Sequence, residues 1–143
     1  MVQALRETTG AGVMDCRKAL IEANGDAEEA KKIIREKGLV KVEKRADRET
    51  GAGLVHSYVH NDRIGVLVEL RAETDFVVRS APFQALAHEL AMHIAAAAPA
   101  NMDELLSQPY IKDESRLVKD LLTEVIAKVG ENISLKQFAR FEV

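Results

Sequence analysis

The stretch LVHSYVHNDRIGVLVEL, residues 54–70, decides the fold. Ile64, Val66, Val68 and Leu70 alternate with Gly65, Leu67 and Glu69. That is the two-residue period of a β-strand. Asn61-Asp62 stands just before it, and both residue types tolerate positive φ. The stretch therefore predicts a β-hairpin closed by a tight turn, with Gly51 and Gly53 as punctuation ahead of it. The tail ISLKQFARFEV alternates again and predicts a third strand, with Ile133, Leu135, Ala139, Phe141 and Val143 on one side. A hairpin alone is marginal in water, so the third strand and packed helices must supply the missing burial.

Helical periods surround the hairpin. Ser80 is placed to cap a long helix with Pro82 in its first turn. Phe83, Leu86, Ala87, Leu90, Ala91, Ile94 and Ala95 form its apolar stripe, and Pro99 ends it. Residues 100–112 read as irregular, with one helical turn at DELL. Asp113 or Ser115 is expected to open a further helix carrying Val118, Leu121, Leu122, Val125 and Val129, ended by Gly130. Before the hairpin, Val13, Cys16, Ala19, Leu20 and Ala23 share a helical stripe. Asn24-Gly25 breaks it. Asp26 with Glu29 three residues on forms a capping-box pattern for the next helix. That helix carries Ala27, Ala30, Ile33 and Ile34, and Gly38 is expected to end it. A short helix before Thr9 completes a three-helix bundle. The expected fold is α+β: a helical module over residues 1–40, a charged helical connector over 41–52, and a core domain over 53–143 in which a three-stranded antiparallel sheet packs with helices.

The 143 residues are 47% hydrophobic but only 4% aromatic, so each Phe needs a reason. Net charge is −3 with 30% charged residues, which argues against nonspecific nucleic-acid binding. The single cysteine, Cys16, excludes an intrachain disulfide and fits a reducing compartment. The first residues hold no long apolar segment, and LAMHIAAAAPA is about half the length that crosses a bilayer. A cytoplasmic protein is expected.

No enzyme signature emerges. On one strand, His56 and His60 would lie roughly 13 Å apart, too far for a shared ion. On one helix, His88 and His93 would point apart by about 140°. No metal site is expected. Cys16 sits on an apolar stripe, where thiols are inert. TGAG, residues 9–12, lacks the preceding strand and the Gly-Lys-Ser/Thr of a phosphate loop and reads as a tight turn. Glu73 and Asp75 could serve as acid–base carboxylates, but nothing else reactive clusters with them in sequence. Residues 31–48 hold eight basic and three acidic side chains, either a solvated helix face or a patch for an acidic partner.

ETDFVVRSAPF, residues 73–83, poses a sharper question. A Phe beside two valines is more often core than surface. Phe76, however, lies on a connection between a strand end and a helix cap, and connections run over surfaces and carry function. Asp75 and Phe76 together would form a wedge, the ring filling a partner's pocket while the carboxylate competes for a cation or a helix end. Met14 poses the same question, since it falls off the Cys16 stripe beside Arg17 and Lys18; it is either buried by its helix or an adaptable contact.

LRETTGAGVMDCRKAL, NGDAEEA, YVHNDRIGVLVEL, ETDFVVR, LAMHIAAAAP and GENISLKQFARFEV together resemble translation elongation factor Ts, in family order and across nearly the whole chain. The resemblance implies a ubiquitin-associated-like N-terminal module and a core domain. It implies a nonenzymatic activity without a cofactor: guanine nucleotide exchange on elongation factor Tu. The Asp-Phe of the family's TDFV motif enters the partner's GTPase domain beside the magnesium site; here those are Asp75 and Phe76, flanked by Thr74 and Val77. Positions matching Arg6, Val13 and Met14 touch the same domain. His60 matches a histidine that long members carry in a second core subdomain, where it helps exchange. The chain departs from the family pattern at Val13 (usually Met), at Arg71-Ala72 (an Asn-Cys pair) and at Val78 (usually Ala). It has one core, without the second subdomain and helical hairpin of long members. The TDFV and HNDRIG features thus fall on one copy, which predicts a homodimer that offers both to each partner. The rival expectation is a helical adaptor that binds nucleic acid or an acidic protein through its basic helix.

Overall fold

The computed structural model describes residues 1–143 and divides them into two units, Met1–Ala46 and Asp47–Val143. The first holds α1 (Val2–Thr9), α2 (Val13–Glu22) and α3 (Ala27–Arg45). The second holds β1 (Ala52–His60), β2 (Ile64–Ala72), α4 (Asp75–Val78), α5 (Ala81–Ala97), α6 (Met102–Ser107), β3 (Pro109–Tyr110), β4 (Asp113–Leu117), α7 (Val118–Val129) and β5 (Ile133–Glu142). The architecture is α+β, with a three-stranded antiparallel sheet in the order β1-β2-β5 and helices packed on it. No helix is long and apolar enough to cross a membrane.

In the first unit the core is small: Leu5, Cys16, Ala19, Ala23 and Ala30, with Leu20, Ile33 and Ile34 packed around them. Gly10, at φ 73°, closes α1 by donating its N–H to the Arg6 carbonyl at 2.7 Å. TGAG is therefore a helix stop and a turn into α2. Asp26 caps α3, accepting from the amides of Glu28 and Glu29 at 3.0 and 3.3 Å. Gly38 does not end α3, which runs on to Arg45. A glycine inside a helix costs only about 1 kcal/mol, and the Lys, Glu and Arg residues around it favour helix. Without a left-handed turn at that position the chain has no reason to leave the helix.

In the second unit, Asn61 and Asp62 adopt φ of 52° and 58°, and Arg63 donates to the His60 carbonyl at 3.0 Å. This is the tight turn that the sequence predicts. On β2, Val66, Val68, Leu70 and Ala72 face the helices and are buried. Phe83, Leu90 and Ile94 of α5 are fully buried as well. The third strand departs from simple alternation. Glu69 stands opposite Gln137 but Leu70 stands opposite Leu135, which leaves Lys136 as an extra residue. This β-bulge inverts the phase of β5. Ile133 and Leu135 face the helices, but beyond the bulge Phe138 and Arg140 do so, and Ala139 and Phe141 pass to the other face. The expectation that all the alternating apolar residues share one side is corrected by that one residue. Arg140 then reaches the last turn of α5 and donates to the Ala95 carbonyl at 3.0 and 3.3 Å.

Two helix starts also differ from expectation. Ser80 stands at the N-cap of α5, yet its hydroxyl donates back to the Val77 carbonyl at 2.6 Å instead of capping. Residues 113–117 are extended: Leu117 pairs with Pro109, and Asp113 accepts from the amide and hydroxyl of Ser115. Helix α7 starts only at Val118, where Asp120 accepts from the Leu117 amide at 2.8 Å.

Gly53 is more than punctuation. A Cβ built there would lie 2.8 Å from the Leu70 carbonyl oxygen and 3.3 Å from the Arg71 Cα, both backbone atoms of β2. Gly53→Ala should therefore push β1 away from β2 and destabilise the second unit by about 1–3 kcal/mol, read as a lowered midpoint in urea. Gly65→Ala, on the same sheet with open space around it, serves as the comparison.

Candidate functional site

Within ETDFVVR, residues 73–79, the four residues DFVV form a single turn of helix, α4. Thr74 stands before it in extended conformation, and its hydroxyl accepts from the Val77 amide at 3.4 Å. The Val78 amide donates to the Thr74 carbonyl and the Arg79 amide to that of Asp75. The far end is tied by Gln84, whose side chain donates to the Val78 carbonyl at 2.8 Å. Helical geometry splits the four residues into two pairs. Val77 and Val78 turn inward and are buried. Asp75 and Phe76 turn outward, and Phe76 is 85% exposed.

The question raised by the sequence is thus answered: Phe76 is a surface ring, and the valines beside it are the core residues. Leaving a Phe in water forgoes roughly 1.5–3 kcal/mol of burial, which stays available to whatever covers the ring. Asp75 forms no ion pair within the chain. Val77, expected among the contact residues, is corrected to an anchor, because its side chain packs beneath the turn.

Two carboxylates from opposite segments brace this corner. Glu131, in the connection from α7 to β5, accepts from the Thr74 amide at 3.0 Å and from the Thr74 hydroxyl at 2.7 Å. Glu73 accepts from the Asn132 amide at 2.8 Å and lies 3.6 Å from the Arg48 guanidinium. Glu73 is therefore turned away from Asp75, and the two do not converge as an acid–base pair. These supports lie 57 and 59 residues apart in sequence. Nothing local to Glu131 or Asn132 signals the contact.

The other expected positions are dispersed. His60 is exposed at the hairpin tip, its Nδ1 2.8 Å from the Tyr58 hydroxyl. β2 separates it from Phe76 by roughly 27 Å at about 3.4 Å per residue, so the two features sit at opposite ends of the sheet. Val13 and Met14 are exposed, at 48% and 58%. Val13 thus leaves the buried stripe it was expected to share with Cys16, because it occupies the first position of α2. Arg6 lines a shallow open depression of about 350 Å³ with Gln3, Glu7, Gly10 and Ala11. Cys16 is fully buried.

The histidines pair across elements, which no spacing along one helix or strand reveals. His56 on β1 and His88 on α5 meet at 3.2 Å between Nε2 and Nδ1, ring edge to ring face. Tyr58 stacks edge-on against His88 as well. His93 is fully buried; its Nδ1 accepts from the Ile111 amide, so its Nε2 carries the proton and donates to Gln108 at 2.9 Å. No group of three or more His, Cys, Asp or Glu side chains is arranged to hold a metal ion. Elsewhere, burial and the hydrogen bond to Glu89 push the Tyr110 phenol up.

The family model described as elongation factor TS matches residues 73–143, from the braced corner to the end of β5. Elongation factor Ts of Alkaliphilus metalliredigens is 42% identical over 188 aligned residues, covering 100% of this chain and 87% of that protein. The factors of Caldanaerobacter subterraneus subsp. tengcongensis and Thermosipho melanesiensis are 43% and 39% identical, covering 99% and 100% of this chain and 94% and 96% of theirs. The 188 aligned residues exceed the 143 of this chain, so the first relative carries internal residues with no counterpart here. These likenesses put the chain among the factors of translation elongation. It belongs to the elongation factor Ts family.

One pH dependence follows from the histidine pair. Partial burial, and then the charge of His88, hold the His56 pKa below its ordinary value. The folded state therefore takes up that proton less readily than the unfolded state. The resulting stability is fully present above the ordinary histidine range and is lost as pH falls through the lowered folded value. Melting temperature should drop between about pH 7 and 5, and the drop should be shallower in His56→Gln. An unchanged slope in that variant would assign the acid lability to other groups.

Proposed function

We propose that this chain is a guanine nucleotide exchange factor for elongation factor Tu. The observation that carries the reading is Phe76, exposed on a one-turn helix that the fold braces from beneath and from the side. An apolar ring held in water by a rigid support is suited to filling a pocket on another protein, because little ordering cost remains at binding. Asp75 beside it brings a free carboxylate to the same place.

The mechanism needs no bond to be broken and no cofactor of this chain. The partner's magnesium ion links its bound nucleotide to the protein, so disturbing that site weakens nucleotide binding. A factor that prefers the nucleotide-free partner lowers nucleotide affinity by the same factor through linkage. In this reading Asp75 and Phe76 enter the GTPase domain beside the magnesium site, and Thr74 and Val77 hold them in place. Residues 1–40 form a ubiquitin-associated-like module that adds contacts through Arg6, Val13 and Met14, and residues 53–143 are the core domain. The factor works in the cytoplasm.

The basic stretch over residues 31–48 is in part neutralised within the first unit: Lys37 pairs with Glu22 at 3.0 Å and Lys41 with Asp15 at 3.5 Å. That favours a solvated helix over an adaptor surface for nucleic acid. Release of fluorescent GDP from elongation factor Tu tests the proposal. The chain should accelerate release, and Phe76→Ala and Asp75→Ala should each cut the acceleration by roughly tenfold or more, as for central interface anchors. Phe76→Ala should leave folding stability within about 0.5 kcal/mol, as for an exposed position. Absence of any acceleration by the unmodified chain would defeat the reading, as would nucleic-acid binding with a steep salt dependence.

A homodimer belongs to the same proposal. The sheet face away from the helices carries Val55, Val59, Leu67 and Phe141, all exposed. Such a patch marks an association surface. Two sheets packed on these faces would bury it and let one copy supply His60 while the other supplies Phe76. Light scattering should give about twice the chain mass, and Leu67→Glu should give the monomer and weaken exchange, since a like charge would face itself across the pairing. A monomeric parent chain that exchanges nucleotide at full rate would remove the dimer from the mechanism.

A further inference from the structure

The backbone ladder between the central and last strands ends at the pair Ala72 and Ile133. Beyond it the chains diverge, and the amides of Thr74 and Asn132 lose any strand partner. Two side chains take over. Glu131 crosses to the Thr74 amide and Glu73 crosses to the Asn132 amide, at 3.0 and 2.8 Å. Each segment thus gives a carboxylate to the other's backbone. Asn132 is buried and donates onward to the Arg48 carbonyl at 2.9 Å, which fixes the receiving side of the exchange.

The Thr74 hydroxyl couples this clamp to the exposed ring. It has one proton and gives it to Glu131 at 2.7 Å. Its lone pairs are then left to face the Val77 amide, which donates to it at 3.4 Å. Glu131 therefore orients the cap of α4. One turn of helix has no stability of its own. The Phe76 ring, in solvent, contributes nothing to holding it. Val77 and Val78 pin the turn to the core, and the carboxylate of Glu131 fixes its N-terminal end.

We infer that Glu131 is a positioning residue for the Asp75–Phe76 corner, acting through Thr74 with Glu73 as its counterpart. The inference rests on the exchange-factor reading for its kinetic consequence, but its structural half stands apart from it. Without Glu131 the Thr74 hydroxyl is free to rotate, the cap loosens, and only a fraction of molecules present the ring in binding geometry at any moment. Apparent affinity falls by that fraction, while a complex once formed is unchanged.

The test combines amide hydrogen exchange with GDP-release kinetics on the full chain. In Glu131→Ala the Val77, Val78 and Arg79 amides should exchange faster, while the strand amides of β2 keep their protection. The concentration of the chain giving half-maximal GDP release should rise about tenfold, as for a binding-competent fraction near one tenth, with the saturating rate within about twofold. Glu131→Gln retains a carbonyl acceptor for the Thr74 amide but sets an NH2 group where the Thr74 hydroxyl needs an acceptor, so it should recover only part of both effects. Thr74→Val keeps the amide contact but removes the hydroxyl and should loosen the same three amides, a second route if Glu131→Ala folds poorly. Unaltered protection of those amides in both Glu131→Ala and Thr74→Val would overturn the clamp. A fall in saturating rate with no change in half-maximal concentration would overturn the positioning role. Should the unmodified chain fail to accelerate GDP release from elongation factor Tu at all, the exchange reading falls and the amide measurements still decide the clamp.

Discussion

The double pairing of β2 is the constraint on which the second unit depends. This strand is hydrogen-bonded to β1 along one edge and to β5 along the other, so its register sets theirs. One of its faces is buried against α5. A shift by one residue would carry Val66, Val68 and Leu70 into water, and the cost of exposing three core side chains fixes the register. Each end of the strand then delivers one feature. Its start follows the tight turn at Asn61-Asp62 with His60; its end feeds the single helical turn that presents Asp75 and Phe76. The sheet acts as a ruler that keeps the two features apart.

The corner itself shows how a surface ring is held without a core of its own. Burial of Val77 and Val78 supplies the attachment, and hydrogen bonds to charged acceptors supply the direction. Carboxylates suit this task. Each offers two oxygens, so Glu131 satisfies an amide and a hydroxyl at once, and hydrogen bonds to charged groups are stronger than neutral ones. The first unit presents its exposed residues differently: Val13 and Met14 stand in the first turn of α2, and although Val13 shares the helical period of the buried Cys16, its place at the helix start leaves it exposed.

The opposite face of the sheet is where membership of the family and the length of the chain meet. The relatives align over more residues than this chain has, so internal segments present in them are missing here. A face carrying Val55, Val59, Leu67 and Phe141 is left in solvent. In the proposed homodimer a second copy would cover that face, the same patch meeting itself across a two-fold axis.

By itself the sequence determined whatever depends on neighbours a few residues away. The period of residues 64–70 gave the strand, Asn61-Asp62 gave the turn, Asp26 gave the cap of α3, and Gly130 gave the end of α7. Local patterns failed where another segment made the choice. Gly38 stayed helical, residues 113–117 paired with Pro109 instead of starting a helix, and one bulged residue, Lys136, moved Ala139 and Phe141 to the open face. The side of the chain on which Phe76 lies, the meeting of His56 with His88, and the grip of Glu131 on Thr74 belong to tertiary structure alone. In each case the deciding atoms come from segments far apart in the chain, and no spacing along a single helix or strand encodes a contact that exists only after the strands have paired.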